Sequence, residues 1–224
     1  MFAQRSEEKE ILDLGLGYYT QIEYEACMKK LFVVNQFFGF FYSTRSLLKK
    51  FTNLTSIADI GCGSGLFLLN LSQYFPEVKM HGIDISAEAI DLANSLKSNY
   101  SDNVNFNLQE LSTLEPESVD VVISTLVCHH LSHDELVKFF NQTFSAAKQA
   151  VIINDLHRHK LAYFFYKIMS PIFRNKLIYH DGLISIRRGF TRKELQLILQ
   201  STSIKNYQIK WCFPFRWRII LWKK

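Results

Sequence analysis

Two hydrophobic patterns alternate along the chain and predict its secondary structure. In the first fifty residues, apolar side chains recur at three- and four-residue spacing, which predicts helix. The members of this stripe are Tyr24, Met28, Leu31, Phe32, Asn35, Phe38 and Phe41. From Ile57 onwards, short apolar runs alternate with helical runs. This alternation is typical of a parallel sheet that carries helices on both faces.

The individual elements follow from the same patterns. Apolar runs predict five strands over 57–60, 78–83, 104–107, 119–125 and 151–154. Helices are predicted over 66–74 and 86–97, and capping boxes that start at Ser132 and Thr191 predict two more.

The last forty residues predict an antiparallel hairpin. Apolar and polar residues alternate with period two over 207–213 and 215–222. Trp211 and Trp217 fall on the expected core face, and Trp222 falls on the opposite, more exposed face. The expected fold class is therefore α/β: a three-layer α/β/α sandwich around a mostly parallel, seven-stranded sheet with a C-terminal antiparallel hairpin.

Length and composition define the broad class of protein. The chain has 224 residues, 48% of them hydrophobic and 21% charged, which supplies a large core and excludes a disordered or fibrous protein. No repeat or linker divides the chain, so we expect a single domain. Its parts are a helical N-terminal cap over 1–52 and an α/β domain over 53–224, with a lid insertion over about 156–190.

Charge and cysteine content exclude several functions. The formal net charge of +5 is too small to argue for nucleic-acid binding. The four cysteines lie far apart, so we expect no disulfide framework and no metal site, and a cytoplasmic location. The charged N-terminus does not resemble a signal peptide, and the longest uncharged run, 60–76, contains three glycines and predicts no membrane span.

A glycine-rich turn between the first predicted strand and helix is the most specific motif. Gly61, Gly63 and Gly65 alternate with other residues, and glycine is needed where the backbone adopts a positive φ or approaches a ligand closely. Asp84 ends the second predicted strand, where an acid can bind both hydroxyl groups of a ribose.

The motif departs from the dinucleotide-binding pattern Gly-x-Gly-x-x-Gly, because Leu66 occupies the position of the third glycine. In addition, Asp59 stands two residues before the first glycine. A carboxylate there would repel a pyrophosphate, whereas it suits the ammonium group of a nucleoside that carries an amino acid. The sequence therefore disfavours NAD.

Several stretches together resemble the class I S-adenosylmethionine-dependent methyltransferases. They are Ile57 to Gly65, Asp84, Glu110 with Leu111, and 119–124. The resemblance is continuous from about 56 to 153. It implies a Rossmann-like fold and S-adenosylmethionine as the cofactor of the 53–224 domain.

The resemblance also implies individual cofactor contacts. Residues that match the three loop glycines cradle the methionine part in this family, and the residue that matches Asp84 binds the ribose. The residue that matches Glu110, more often Asp in the family, faces the adenine amino group, and its neighbour Leu111 supplies an apolar contact. The predicted cofactor-binding residues are Asp59, Gly61, Gly63, Gly65, Asp84, Ile85, Glu110, Leu111 and Thr125.

The segment that follows the fourth strand normally faces the transferred methyl group in this family. It lacks the Asn/Asp-Pro-Pro-aromatic motif of amino-group nucleic-acid methyltransferases, which disfavours a nucleic-acid substrate. Instead, Val127 to Leu131 resembles the corresponding loop of quinone-biosynthesis methyltransferases. His129 or His130 is thus a candidate general base, because imidazole titrates near neutrality. The alternative is that His130 packs the loop and His129 lines the cofactor.

A second polar group follows the fifth predicted strand. Asp155 lies where the carboxyl end of a strand faces the ligand crevice, so it is the next candidate base. The predicted substrate-binding residues are Asn35, Tyr179, His180, Arg187 and Arg188. The arginine pair suits the binding of a carboxylate or phenolate. The alternative is that both arginines are solvent-exposed residues in the segment that leads into the next helix. These segments resemble bacterial methyltransferases encoded beside type III polyketide synthases, which implies a phenolic, quinone or polyketide acceptor.

The segment 156–179 carries five basic residues and no acid, with apolar residues interleaved. One interpretation is a lid over an apolar substrate that also contacts an anionic membrane, and the other is an ordinary covering helix with a basic polar face. Taken together, the sequence predicts methyl transfer from S-adenosylmethionine to oxygen or carbon of a hydrophobic small molecule. The alternatives are a non-catalytic, S-adenosylmethionine-binding regulatory module and an RNA methyltransferase.

Overall fold

A single mixed sheet organises the chain. In the computed structural model, which describes residues 2–97 and 102–223, the strands are β1 Ser56–Ile60, β2 Lys79–Asp84, β3 Val104–Leu108, β4 Val119–Thr125, β5 Ala147–Leu156, β6 Tyr207–Cys212 and β7 Arg216–Trp222. They pair in the order β3-β2-β1-β4-β5-β7-β6. Strands β1 to β5 run parallel, and β7 is antiparallel to β5 and β6. The predicted seven-stranded fold is confirmed.

Helices precede and connect the strands. They are α1 Gln21–Phe37, α2 Phe40–Leu48, α3 Leu66–Ser72, α4 Ala87–Lys97, α5 His133–Ala146, α6 Lys160–Met169, α7 Lys176–Arg188 and α8 Arg192–Gln200. Short 3-10 helices form at Leu12–Leu14, Leu111–Thr113, Cys128–His130 and Ser170–Phe173. The predicted capping boxes are confirmed at the starts of α5 and α8. Of the helices described, none is both long and apolar enough to cross a membrane.

The strands bury side chains on both faces, which explains their near-continuous apolar sequences. Alternate residues such as Ile57, Val121 and Ile152 pack against α2, α3 and α4. Their neighbours, including Val122 and Val151, pack against α5 and α8 on the other face. The result is the predicted three-layer arrangement, and it places the carboxyl ends of β1, β2 and β4 side by side.

Two elements differ from the sequence pattern at their ends. The predicted N-terminal helix is divided, because Gly39 adopts a φ of +70° between α1 and α2. Strand β5 has ten residues where the apolar run predicted four. The strand begins directly after α5. Its first residues include the polar Lys148 and Gln149, so the apolar run alone did not predict this part of the strand.

The hairpin tryptophans occupy three different environments. Trp217 is buried, as predicted, and its indole Nε1 donates to the Phe190 carbonyl at 2.8 Å. The core position predicted for Trp211 is wrong, because this side chain is 42% exposed on β6, the edge strand of the sheet. Trp222 is partly buried and stacks on Phe51.

Candidate active site

A cavity of about 770 Å³ opens at the carboxyl ends of β1, β2 and β4, under the N-terminal helices. Its polar side is lined by Asp59, Gly61, Gly63, Asp84, Ile85, Gln109, Leu111 and Thr125. Its apolar side, here called the apolar chamber, is lined by Tyr19, Tyr24, Met28, Leu31, Phe32 and Phe41. Glu10, Asp13, His129 and His130 also line it. The cavity is large enough for a nucleoside cofactor and a small second molecule.

The N-terminal cap, rather than the segment 156–190, covers the cavity. Cap residues from Glu10 to Phe41 line it, whereas no described residue of 156–190 does so. Arg5 fastens the cap to the rest of the chain: its Nη2 donates to the carbonyl oxygens of His129 and Leu131, both at 2.9 Å. The placement of the cap therefore depends on the loop that carries the two histidines.

The glycine loop is held against β2 by its backbone. The amides of Gly61 and Cys62 donate to the Ile83 carbonyl at 2.8 and 3.1 Å. All three loop glycines have a positive φ. A Cβ at Gly61 would lie 2.3 Å from a methyl carbon of Val127, so the histidine loop packs directly on the glycine loop. A Cβ at Gly63 would meet nothing within 4 Å, and this residue lines the cavity.

Gly65 and Gly63 are expected to respond differently to alanine. A Cβ at Gly65 would lie 2.4 Å from the Phe106 ring, and its φ is +70°. We expect Gly65→Ala to lower the free energy of unfolding by roughly 2–4 kcal/mol, from overpacking and backbone strain together. Gly63→Ala should cost only about 1–2 kcal/mol, from strain alone, and should weaken cofactor binding because its methyl group enters the cavity. Urea unfolding and calorimetric titration check both, and equal stabilities of the two variants would contradict the packing.

Asp84 ties the end of β2 to the glycine loop. Its Oδ2 accepts from the Gly63 amide at 2.8 Å, and its Oδ1 accepts from the Ser86 amide at 3.0 Å. Each carboxylate oxygen can accept a further hydrogen bond. The side chain lines the cavity, so it can bind a diol such as the ribose hydroxyl groups.

Asp59 is a buried acid with an oxygen that has no protein partner. It is 2% exposed, and its Oδ1 accepts no hydrogen bond from the described residues. Burial, and secondarily the charge of Asp84, raises the pKa of Asp59 to about 8. A cationic ligand group would relieve both effects, and the ammonium of S-adenosylmethionine supplies one. With the open space at Gly63 and the acceptors of Asp84, the residues on the polar side fit this cofactor.

The raised pKa of Asp59 makes cofactor binding pH-dependent. The free protein holds a proton on Asp59 below about pH 8, and the ammonium favours the ionised form. We expect affinity to rise about tenfold per pH unit from about pH 6 until the cofactor's own α-amino group titrates near pH 8. Titration calorimetry in buffers of different ionisation enthalpy should detect a released proton. Asp59→Asn should bind weakly without proton release; proton release from that variant would show that another group titrates.

Of the remaining predicted cofactor-binding residues, three line the cavity and Glu110 does not. Leu111 and Ile85 line the cavity, and so does Thr125, whose buried Oγ1 has no hydrogen-bond partner among the described residues. Glu110 lies outside the lining: its side chain is exposed and accepts from the Ser112 hydroxyl at 3.1 Å. Its neighbour Gln109 lines the cavity instead. The role of Glu110 at the adenine amino group stays a prediction.

His129 is clamped between two carboxylates. Its Nδ1 lies 2.8 Å from Asp155 Oδ1, and its Nε2 lies 3.4 Å from Glu10 Oε1. Burial opposes the charged ring, but the charge and hydrogen bond of Asp155, together with Glu10, outweigh it and raise the pKa of His129 to about 9. The ring is therefore an imidazolium at neutral pH, so it has no lone pair with which to accept a proton.

His130 has the arrangement of a general base. Its Nδ1 lies 2.8 Å from Asp13 Oδ1, and its side chain lines the cavity and is 30% exposed. A carboxylate on one ring nitrogen orients the imidazole and leaves the other nitrogen for a substrate. Asp13 also accepts from Arg188 Nη1 at 2.7 Å. Although burial opposes it, the adjacent His130 ring and the charge of Arg188 hold the pKa of Asp13 well below its usual range.

The predicted catalytic and substrate-binding residues at the end of β5 and in α7 do not reach the cavity. Asp155 is fully buried and touches His129 rather than the cavity, so it acts through that ring. Arg188 donates to the carbonyl oxygens of His129 and His130 at 3.0 and 2.8 Å, and thereby holds the histidine loop. Arg187 pairs with Glu8. Sequence reasoning missed Glu10 and Asp13, because their only signal was an acid in an N-terminal segment far from the motifs.

The other predicted substrate-binding residues are also separated by the fold. Asn35 is buried and lines the cavity beside the apolar chamber. His180 is outside the lining and pairs with Asp181 at 2.8 Å, and Tyr179 is outside it too. Of the five candidates, the structure brings only Asn35 to the cavity, so the acceptor-side wall comes from the cap.

Comparisons with known proteins agree with this geometry. A family described as "Methyltransferase domain" matches residues 57–150. The tRNA (guanine-N(7)-)-methyltransferase of Debaryomyces hansenii is 33% identical over 84 residues, which cover 36% of this chain and 28% of that protein. The chain spans about a third or less of the curated relatives that it matches.

Solved structures of methyltransferases share the fold over most of the chain. Magnesium protoporphyrin IX methyltransferase from Synechocystis PCC 6803 with bound SAH has a TM-score of 0.57 and 20% identity, covering 82% of this chain and 81% of that one. Human N-acetylserotonin methyltransferase in complex with SAM has a TM-score of 0.66 and 18% identity, covering 92% and 57%. Residues 57–150 therefore match a methyltransferase domain, the whole sheet has the fold of S-adenosylmethionine-dependent methyltransferases, and the polar side of the cavity fits that cofactor.

Proposed function

We propose that the protein transfers a methyl group from S-adenosylmethionine to oxygen or carbon of a hydrophobic small molecule, of the phenolic, quinone-like or polyketide class. The observation that carries this proposal is that the apolar chamber, the cofactor-side residues and the His130–Asp13 pair all line one cavity. Such a chamber selects apolar ring systems, and the histidine suits an acceptor that must lose a proton.

Each part of the cavity has a role in this reaction. When bound, S-adenosylmethionine supplies an electrophilic methyl group on its sulfonium. The protein aligns the acceptor and excludes water, which is the main catalytic contribution in an in-line displacement. His130 takes the proton of the acceptor hydroxyl group at its free ring nitrogen, and Asp13 stabilises the imidazolium that forms. The charged ring of His129 keeps the loop in place.

The charges around the cavity disfavour a nucleic-acid acceptor. Five acids line it, namely Glu10, Asp13, Asp59, Asp84 and Glu88, and no lysine or arginine is found among the described lining residues. A phosphate-bearing acceptor would find no lysine or arginine there, although nucleic-acid binding depends on such contacts, and the charged ring of His129 is already paired with Asp155 and Glu10. The acidic lining favours a neutral acceptor over the RNA alternative. As part of the same proposal, we expect the protein to act in the cytoplasm.

An acceptor panel tests the proposal. The purified protein is incubated with methyl-labelled S-adenosylmethionine and an apolar phenol, the methyl ether of that phenol, a quinol or an unmodified tRNA. We expect label in the phenol or quinol, with mass spectrometry locating it on oxygen or a ring carbon, and none in tRNA. Labelled tRNA with unlabelled phenols would overturn the proposal. Cofactor binding without turnover on any apolar acceptor would favour the regulatory module.

A further inference from the structure

Helix α6 and the 3-10 turn after it present an apolar stripe to solvent. Its members are Leu161, Phe164, Phe165, Ile168, Met169 and Ile172, and each is 51–69% exposed. Their spacing of three and four residues places them on one side of the helix. A contiguous apolar surface of this kind is uncommon on a soluble protein unless something binds it. We call these six residues the α6 stripe.

The stripe is not needed to hold α6 in the fold. The helix is anchored by its opposite side, where Ala162 and Ser170 are buried. On the same side the Tyr166 hydroxyl donates to the Ile178 carbonyl at 2.6 Å. Tyr166 also packs against a cluster that contains Tyr19 and residues of α1 and α7. The α6 stripe is thus separate from the residues that attach the helix to the core.

The charged residues of the segment that carries the stripe all have one sign. Lys160, Lys167, Arg174 and Lys176 are exposed, and no Asp or Glu occurs in 156–179. Lys160 and Lys167 are seven residues apart and therefore share one flank of the helix. The fifth basic residue, Arg158, is buried and paired with Glu194 at 2.6 Å, so it does not contribute to this surface. Among the described residues, the one exposed acid known to interact with these basic residues is Glu23 of α1, near Lys176, while Lys160 and Lys167 lie along the stripe itself. An apolar face with such a basic flank complements an anionic, apolar partner.

We propose that residues 160–176 bind the surface of an anionic lipid bilayer. The α6 stripe enters the region between the head groups and the acyl chains, while the lysines and Arg174 contact lipid phosphates. An amphipathic helix that lies in the interface uses both of these interactions. This inference stands on exposure and charge and needs no methyl transfer. One consequence rests on the proposed function: Tyr166 packs against the cluster that contains Tyr19, a residue of the cavity lining, so an acceptor dissolved in the bilayer would lie on the same side of the fold as the chamber.

Vesicle sedimentation tests the proposal with the full chain. The vesicles are pure phosphatidylcholine, or phosphatidylcholine with about 30 mol% phosphatidylglycerol. One variant combines Phe164→Ser with Ile168→Ser, and a second combines Lys160→Glu with Lys167→Glu. Leu108→Ser and Lys205→Glu are the matched controls, since both residues are exposed and lie outside 156–179. Circular dichroism shows that each variant is folded.

We expect the wild-type protein and both controls to sediment with anionic vesicles, and salt to weaken this binding by screening the charges. The stripe variant should bind about tenfold or more weakly to any vesicle, and the charge-reversed variant should lose the preference for anionic lipid. Methyl transfer to a water-soluble phenol without vesicles should be unchanged in both variants. A wild-type protein that stays in solution, or a stripe variant that binds normally, would overturn the proposal. So would a concentration-dependent dimer that the stripe variant loses, because a second copy would then cover the stripe.

Discussion

Replacement of His130 by alanine is expected to slow methyl transfer to a hydroxyl acceptor by about 10²–10⁴-fold, the usual contribution of a positioned general base. His130 lines the cavity and is oriented by Asp13, whereas the neighbouring His129 has its ring between two carboxylates. Cofactor affinity should stay within about twofold of wild type, because the contacts found for the His130 ring are with Asp13 and His129 rather than with the cofactor-side residues.

The acidity of the acceptor separates a base from a packing residue. A phenol that is already ionised in solution needs no base, so His130→Ala should slow its methylation far less than that of a weakly acidic phenol. Asp13→Asn should slow transfer less, since it removes only the orienting carboxylate. His133→Ala is the matched control, because His133 is exposed at the start of α5. A His130→Ala variant with the wild-type rate on a weakly acidic phenol would exclude His130 as the base.

Replacement of Asp84 by alanine is expected to abolish measurable cofactor binding. The variant loses acceptors for the Gly63 and Ser86 amides as well as for the ribose. Hydrogen bonds to a charged group contribute about 1.5–3 kcal/mol each, so the loss of two or more should weaken binding by about 10²–10⁴-fold.

Titration calorimetry with S-adenosylmethionine measures this loss. Asp91→Ala is the control, since Asp91 is exposed on the neighbouring helix α4 and should bind as wild type. Urea unfolding of Asp84→Ala shows whether the protein remains folded, which separates lost contacts from lost structure. Unchanged affinity in a folded Asp84→Ala protein would contradict the assignment of the ribose site.

The polar side of the cavity was predictable because its signals are local in sequence. Asp59 and the loop glycines lie within one strand-to-helix turn, and Asp84 ends the next strand. Parallel strands bring their carboxyl ends together, so residues at these ends become neighbours once the fold class is known. The position of the Glu110 side chain could not be predicted in this way, because a single 3-10 turn decides whether it or the Gln109 side chain faces the cavity.

The acceptor side could not be predicted from local patterns. Glu10 and Asp13 meet the two histidines across more than a hundred residues of sequence, and only tertiary packing pairs them. The sequence left open which of His129 and His130 was the base, because both are adjacent in one loop. Their difference comes from buried partners: Asp155 and Glu10 charge one ring, and Asp13 orients the other. Arg188 had the chemistry of a substrate ligand, but the fold uses it to hold the loop.

The most direct test of the account is a crystal structure of the protein with S-adenosylhomocysteine. We predict that the amino group lies at Asp59, that both ribose hydroxyl groups lie at Asp84, and that the sulfur faces the apolar chamber beside His130. That orientation would place a methyl group on the sulfur where an acceptor in the chamber can meet it. A nucleoside bound elsewhere, or a sulfur directed away from the chamber into bulk solvent, would contradict the central claim that this cavity brings cofactor and acceptor together.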